Sequence, residues 1–143
     1  MHEYAVTRTA AVHRIALRTD RREQFVDVTD AVADAVRELG VESGAVLLHV
    51  PHTTAAVTVN EGYDPDVAAD VLSVLGRLVP RDDGYAHQEG NSDSHVKAIL
   101  VGSTQLLAVH GGAPLLGRWQ RIFFCEFDGP RSRELLVATV VNA

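Results

Sequence analysis

W-Q-R-I-F-F-C-E-F-D-G-P-R-S-R-E-L-L-V-A-T-V-V, residues 119–141, decides the fold. Trp119 to Phe127 and Glu134 to Val141 read as long strands, rich in β-branched and aromatic residues. Asp128-Gly129-Pro130 between them is a turn signal. The second strand carries apolar residues on both faces, which predicts a place in the interior of a sheet. Glu126 is the odd residue in this run. A carboxylate near a buried surface is costly unless paired. Arg131 is the candidate partner, or a bidentate holder of phosphate.

Working outward, Tyr4 to Thr19 and Gln24 to Val28 read as strands around the charged turn Thr19-Asp20-Arg21-Arg22, and predict a hairpin. T-D-A-V-A-D-A-V-R-E-L-G, residues 29–40, predicts a helix with Val32, Val36 and Leu39 inward, Thr29 as N-cap and Gly40 as stop. Ala45 to Val50 reads as a strand ended by Pro51, and Ala55 to Val59 as another. Asp64-Pro65 opens a second helix, with Val67, Val71, Val74, Leu75 and Leu78 as its buried stripe and Pro80 as its end. Val96 to Val101 fits either a short helix capped by Asp93 or Ser94, or a strand. Leu106 to Val109 is a strand, followed by a Gly111-Gly112 turn. Strands at both ends with helices between predict one α+β domain over residues 1–143.

The chain has 143 residues, 46% of them apolar, and a formal charge of −6. That length fits one domain with a proper core. The acidic balance argues against a nucleic-acid binder. Cys125 is the one cysteine, so no internal disulfide or cysteine zinc site can form; its apolar neighbours predict a buried, inert thiol. M-H-E-Y-A-V-T-R is no signal segment and no apolar run is long enough to span a membrane, so a cytoplasmic protein without membrane contact is expected.

Polar residues gather in four places. Y-A-H-Q-E-G-N-S-D-S-H-V-K, residues 85–97, holds two histidines, two carboxylates and the chain's one lysine. It reads as a polar loop outside the core, and His87 and His95 beside Glu89 and Asp93 form a candidate site; a solvated surface loop is the competing reading. H-V-P-H-T-T, 49–54, sets His52, Thr53 and Thr54 at a strand end, or is a Thr-rich strand with one surface histidine. N-E-G-Y-D-P-D, 60–66, holds Asn60, Glu61 and Asp64, the last with a sufficient role as a helix cap. C-E-F-D-G-P-R, 125–131, is the fourth. His2, His13 and His110 read as structural or surface residues, and Trp119 as a core or interface aromatic. There is no Walker loop, G-x-G-x-x-G, H-E-x-x-H or G-x-S-x-G, which counts against a Rossmann nucleotide-binding domain, a zincin and an α/β-hydrolase.

H-T-T-A-A-V-T-V-N-E, then D-P-D-V, then Y-x-H-x-E-G-N-S-D-S-H-V-K, then G-R-W-Q-R-I-F-F-C-E-F-D-G-P-R together resemble the YjbQ-like family, some members of which are called secondary thiamine-phosphate synthases. The resemblance implies a coiled, half-barrel-like, mostly antiparallel sheet with two or three helices, and a homotrimer. It implies a polar site for a metal or an anion. It also implies weak synthase activity, joining a pyrimidine diphosphate to a thiazole phosphate. Arg118 departs from the family's G-T-W-Q; facing the site, it would favour anionic ligands, and facing solvent or a neighbouring subunit it would change nothing.

Within that resemblance His52, His87 and His95 are the metal candidates, with zinc the expected ion, because three imidazoles and a water make a typical catalytic zinc site. Magnesium prefers oxygen ligands and would enter with a diphosphate. Glu126, Glu61 and Asp64 are the candidate catalytic carboxylates. Thr53, Thr54, Asn91, Lys97, Arg118 and Arg131 are the candidate anion-binding residues. Three functions remain open: the synthase, a metal-dependent hydrolase using a bound water, and a non-catalytic trimeric binding protein for a small anionic metabolite.

Overall fold

A computed structural model describes residues 12–143. The expected strand residues 4–11, and His2, lie outside them. The fold is α+β, with three helices on a curled antiparallel half-barrel. In chain order the elements are β1 (Val12–Arg18), β2 (Gln24–Asp27), α1 (Thr29–Leu39), β3 (Ser43–His49), β4 (Ala55–Glu61), α2 (Pro65–Leu78), α3 (Ser92–Val101), β5 (Thr104–His110), β6 (Ala113–Pro114), β7 (Gln120–Glu126) and β8 (Ser132–Asn142). One sheet runs β1-β8-β3-β5-β6 and the other β2-β7-β4.

The two long strands of the opening stretch organise both sheets. β8 lies between β1 and β3, as its two apolar faces predict. β7 lies between β2 and β4. The expected N-terminal hairpin is corrected: β1 pairs with β8 and β2 with β7, so the turn at 19–23 crosses from one sheet to the other. Each strand finds its ladder elsewhere, and neither pairs with its sequence neighbour.

α1 is amphipathic as expected, burying Val32, Ala35 and Val36 against the core formed by Val46, Leu48, Val57, Ile122, Phe124, Leu135 and Val137. Its start differs in detail. Thr29 is the first helical residue rather than the N-cap: Asp27 accepts from the Thr29 N–H at 3.0 Å and from its hydroxyl at 2.7 Å. The same hydroxyl accepts the Ile122 N–H, tying the helix to β7. Gly40 ends α1 at φ 71°, a left-handed conformation that glycine adopts without strain.

α2 starts as expected, with Asp64 accepting from the Asp66 N–H at 3.0 Å and Pro65 first in the helix. Its expected buried stripe is corrected. Among the described residues none of α2 is buried, and Val74 and Leu78 are exposed. Only Leu72 and Leu75 pack onto the small cluster of Ala56, Ala98, Phe123, Cys125 and Phe127. Trp119 is also exposed rather than core.

α3 resolves the helix-or-strand choice over 96–101 in favour of helix, with Asn91 at the N-cap position. It overturns the reading of 85–97 as wholly outside the core. Asp93, Ser94, Lys97 and Ala98 are its buried residues, at positions that share one helix face. The charges of Asp93 and Lys97 are compensated from the turn before β2. Arg22 grips Asp93 with both terminal nitrogens at 2.9 and 3.1 Å. The Lys97 ammonium lies 2.6 Å from Glu23 and 2.9 Å from Asp93.

Candidate functional site

β4 and β7 pair along their whole length, Ala55 opposite Glu126 at one end and Glu61 opposite Gln120 at the other. At about 3.3 Å per residue the ends are roughly 20 Å apart. The sequence clusters divide between them.

At the Ala55–Glu126 end, Glu126 is fully buried. Arg133, not the expected Arg131, clasps it with Nε and Nη2. Thr19 donates to it at 2.7 Å and the Asp128 N–H at 3.1 Å. Burial alone would raise the Glu126 pKa; the hydrogen bonds from Arg133, Thr19 and the Asp128 N–H overcome that and hold it below the ordinary carboxylate value. A carboxylate so engaged is a poor general base. Arg131 turns instead to Asp128, donating to its backbone oxygen at 2.7 Å and its carboxylate at 2.9 Å. The signal for Arg133 was in the strand alternation. Arg133, Leu135 and Val137 point to one face, and an arginine in line with core residues needs a buried partner.

Around this ion pair three segments meet. A cleft of about 370 Å³ is lined by Pro51–Thr54, Glu89, Asn91, His95, Asp128, Arg131 and Arg133. Thr54 accepts from Arg133 Nη2 at 2.8 Å, while Thr53 stays exposed. His95 enters from α3, whose register is fixed on either side by Asp93 and Lys97 and by the Ser94 hydroxyl bonded to the Phe127 carbonyl. Asn91 donates to Asp128 at 2.8 Å, and its Oδ1 has no partner among the described residues.

His52 lines the cleft in a defined tautomer. Its Nε2 accepts the Glu134 N–H at 2.9 Å, so the neutral ring carries its proton on Nδ1. Burial and then the positive charge of Arg133 push its pKa down, against the pull of Glu126 and Glu134. His52 is thus neutral at pH 7 and a hydrogen-bond donor through Nδ1. A ring in this state cannot ligate a metal through either nitrogen without losing that bond or that proton. His87 and His95 do come together, their rings edge-on with centroids 5.6 Å apart, and His87 Nε2 is 3.6 Å from Glu89. Among the described residues no three His, Cys, Asp or Glu side chains stand ready around one point.

The other candidates lie elsewhere. Glu61 accepts the N–H groups of Tyr63 and Asp64 at 2.6 and 3.0 Å, and Asp64 caps α2. Arg118 lies over the Trp119 ring, 4.7 Å from its centroid, and Trp119 meets Tyr63 edge-on. Glu61, Asp64, Arg118 and Trp119 do not line the histidine cleft. Lys97, 1% exposed, spends its charge on Glu23 and Asp93 and does not line it either. Cys125 is buried, and burial pushes its thiol pKa well up, as an inert cysteine requires.

A coiled antiparallel half-barrel with α3 laid across one end, and a histidine-bearing polar cleft beneath it, defines a class of small α+β proteins. The chain belongs to the UPF0047 protein YjbQ-like family, whose model matches residues 13–142. It is 46% identical to a UPF0047 protein of Methanocaldococcus jannaschii over 87% of this chain and 90% of that one. It is 42% identical to the UPF0047 protein YugU of Bacillus subtilis, over 83% and 91%. The crystal structure of an uncharacterized conserved YjbQ/UPF0047 protein from Clostridium acetobutylicum superposes with a TM-score of 0.86 at 44% identity, covering 89% of this chain and 99% of that one. A YbjQ-like protein of unknown function from Sulfolobus solfataricus gives 0.86 at 30%, covering 91% and 96%. No described helix is long and apolar enough to cross a membrane.

Proposed function

We propose that this chain binds a small anionic metabolite in the cleft between residues 51–54, the start of α3 and residues 128–133. The observation that carries the reading is the convergence of His52, Thr53, His95, Arg131 and Arg133, from three distant segments, on one concave surface. His52 offers a neutral N–H there, and Arg133 keeps Nη1 without a partner among the described residues. The start of α3 adds the positive end of its dipole. A homotrimer would give the unburied apolar residues of α2 a cover. Calorimetry with inorganic phosphate and diphosphate is the test. Saturable binding that Arg131→Gln weakens supports the reading; no heat from either anion at millimolar concentration ends it.

A metal-dependent reading is favoured by one further observation, the meeting of His87, His95 and Glu89. A divalent ion such as zinc would have to draw His87, His95 and Glu89 together, since they do not converge on one point as they stand, with His52 as a donor to a metal-bound anion rather than as a ligand. Zinc uptake by protein prepared without chelator should vanish in His95→Ala and survive in His52→Gln. Loss in both variants would restore the set His52, His87 and His95. A hydrolase would follow from such an ion activating water. The thiamine-phosphate synthase has less support. Magnesium would need Glu89, Asp128 and diphosphate oxygens, while Glu61 and Asp64 stand at the far end of the ladder.

A further inference from the structure

The polar cleft is one half of a larger hollow. His52, Thr53 and His95 also line a second space of about 530 Å³, whose other walls are Ala55, Ala98, Ile99, Gly102 and Ser103. Of these five, only Ser103 brings a polar side chain. His95 and Ile99 are one helical turn apart on α3, so the same helix face passes from imidazole to aliphatic wall. Gly102 keeps the space open. Its φ of 103° disfavours any side chain, and a Cβ there would meet nothing within 4 Å. Ala55 and Ala98 are small residues where larger ones would fill the hollow.

Resting on the reading above, we propose that the ligand is amphiphilic. Its compact anionic head would lie against Thr53, Arg131 and Arg133, and an apolar body against Ala98 and Ile99, with His52 and His95 at the junction. The volume suits a body of ring size or a short alkyl chain. Ile99, 81% exposed in the chain, is then a specificity-determining residue at the rim.

The test is calorimetry with inorganic phosphate, then methyl, butyl, hexyl and phenyl phosphate, and a parallel arm of alkyl carboxylates of equal length. Burying a methylene should tighten binding roughly three- to fourfold, so hexyl phosphate, five methylenes longer, should exceed methyl phosphate by over a hundredfold where the whole tail is buried. The arm with the steeper gain identifies the head group. Ile99→Glu should flatten the dependence on chain length. Phosphate binding with no gain from any tail overturns this inference and leaves the anion site standing. A gain that Ile99→Glu leaves intact also overturns it, since the tail then lies elsewhere. If Ile99→Glu instead dissociates an oligomer while tails bring no gain, a second copy fills the hollow and the inference falls. Failure of every anion to bind removes the anion site and this inference together.

Discussion

The two ends of the β4–β7 ladder carry similar residues and use them in opposite ways. At the Ala55 end, Glu126 is buried and clasped by Arg133, which in turn lines the histidine cleft. At the Gln120 end, Glu61 and Asp64 are near solvent and hold backbone N–H groups of a turn and a helix start. Each end has a carboxylate, an arginine and an aromatic or histidine ring. What differs is the dielectric and the competing work. Where water is excluded, a charge requires a partner with good geometry. Where water is present, the same side chain is free to cap a helix, and little depends on it.

The largest effect should come from breaking the buried end. Glu126→Ala leaves Arg133 charged, buried and unpaired. Removing one partner of such a pair costs about 3–5 kcal/mol. Urea denaturation of the variant measures it. A loss below about 1 kcal/mol, the scale of a surface ion pair, would mean that water reaches Arg133 and that the two ends are alike.

At the exposed end, Asp64→Ala removes the cap of α2. The expected cost is about 1 kcal/mol, typical of an N-cap aspartate, with Asn restoring most of it. Anion binding in the cleft should not change. A cost as large as that of Glu126→Ala, or lost anion affinity, would show that this end is part of the site.

The contrast also explains what could be read from residues alone. α1 was legible because Val32 and Val36 repeat an apolar spacing, and apolar residues face inward by default. α3 has a comparable length and an inward face made of Asp93, Ser94 and Lys97. Composition cannot distinguish that face from a solvated one, because its compensating charges, Arg22 and Glu23, are about 70 residues away. His52 and His95 were recognisable as functional residue types, and they do share a cleft. Their chemical states were not recognisable. The backbone N–H that fixes the His52 tautomer belongs to Glu134, 82 residues downstream. Arg131, a candidate partner of Glu126 or holder of phosphate, pairs with Asp128 instead, and strand alternation selects Arg133 for Glu126. α2 departs for a different reason: its spacing of valines and leucines is a sound amphipathic pattern, but among the described residues only the small cluster under Leu72 and Leu75 meets it.

The smallest effect sharpens the comparison at its functional centre. His52 sits among Arg133, Glu126 and Glu134, and its pKa is lowered in the folded chain by burial and by Arg133. In the unfolded chain it titrates near 6.5. Between the two values the unfolded state binds more protons, so stability rises with pH and is fully present above about 7. As pH falls below about 6.5 this contribution is lost, with a slope that one group limits to about 1.4 kcal/mol per pH unit. Glu126, also held low, contributes in the acid range instead, its part being lost only as pH falls below the ordinary carboxylate value. His52→Gln keeps an acceptor for the Glu134 N–H and removes the titration. Denaturation midpoints from pH 5 to 8 should therefore slope less in the variant than in the wild type, with the two curves running parallel above pH 7. Identical slopes would mean that His52 is as free as a surface imidazole, and the claim that this end of the ladder holds it neutral and proton-donating would fail.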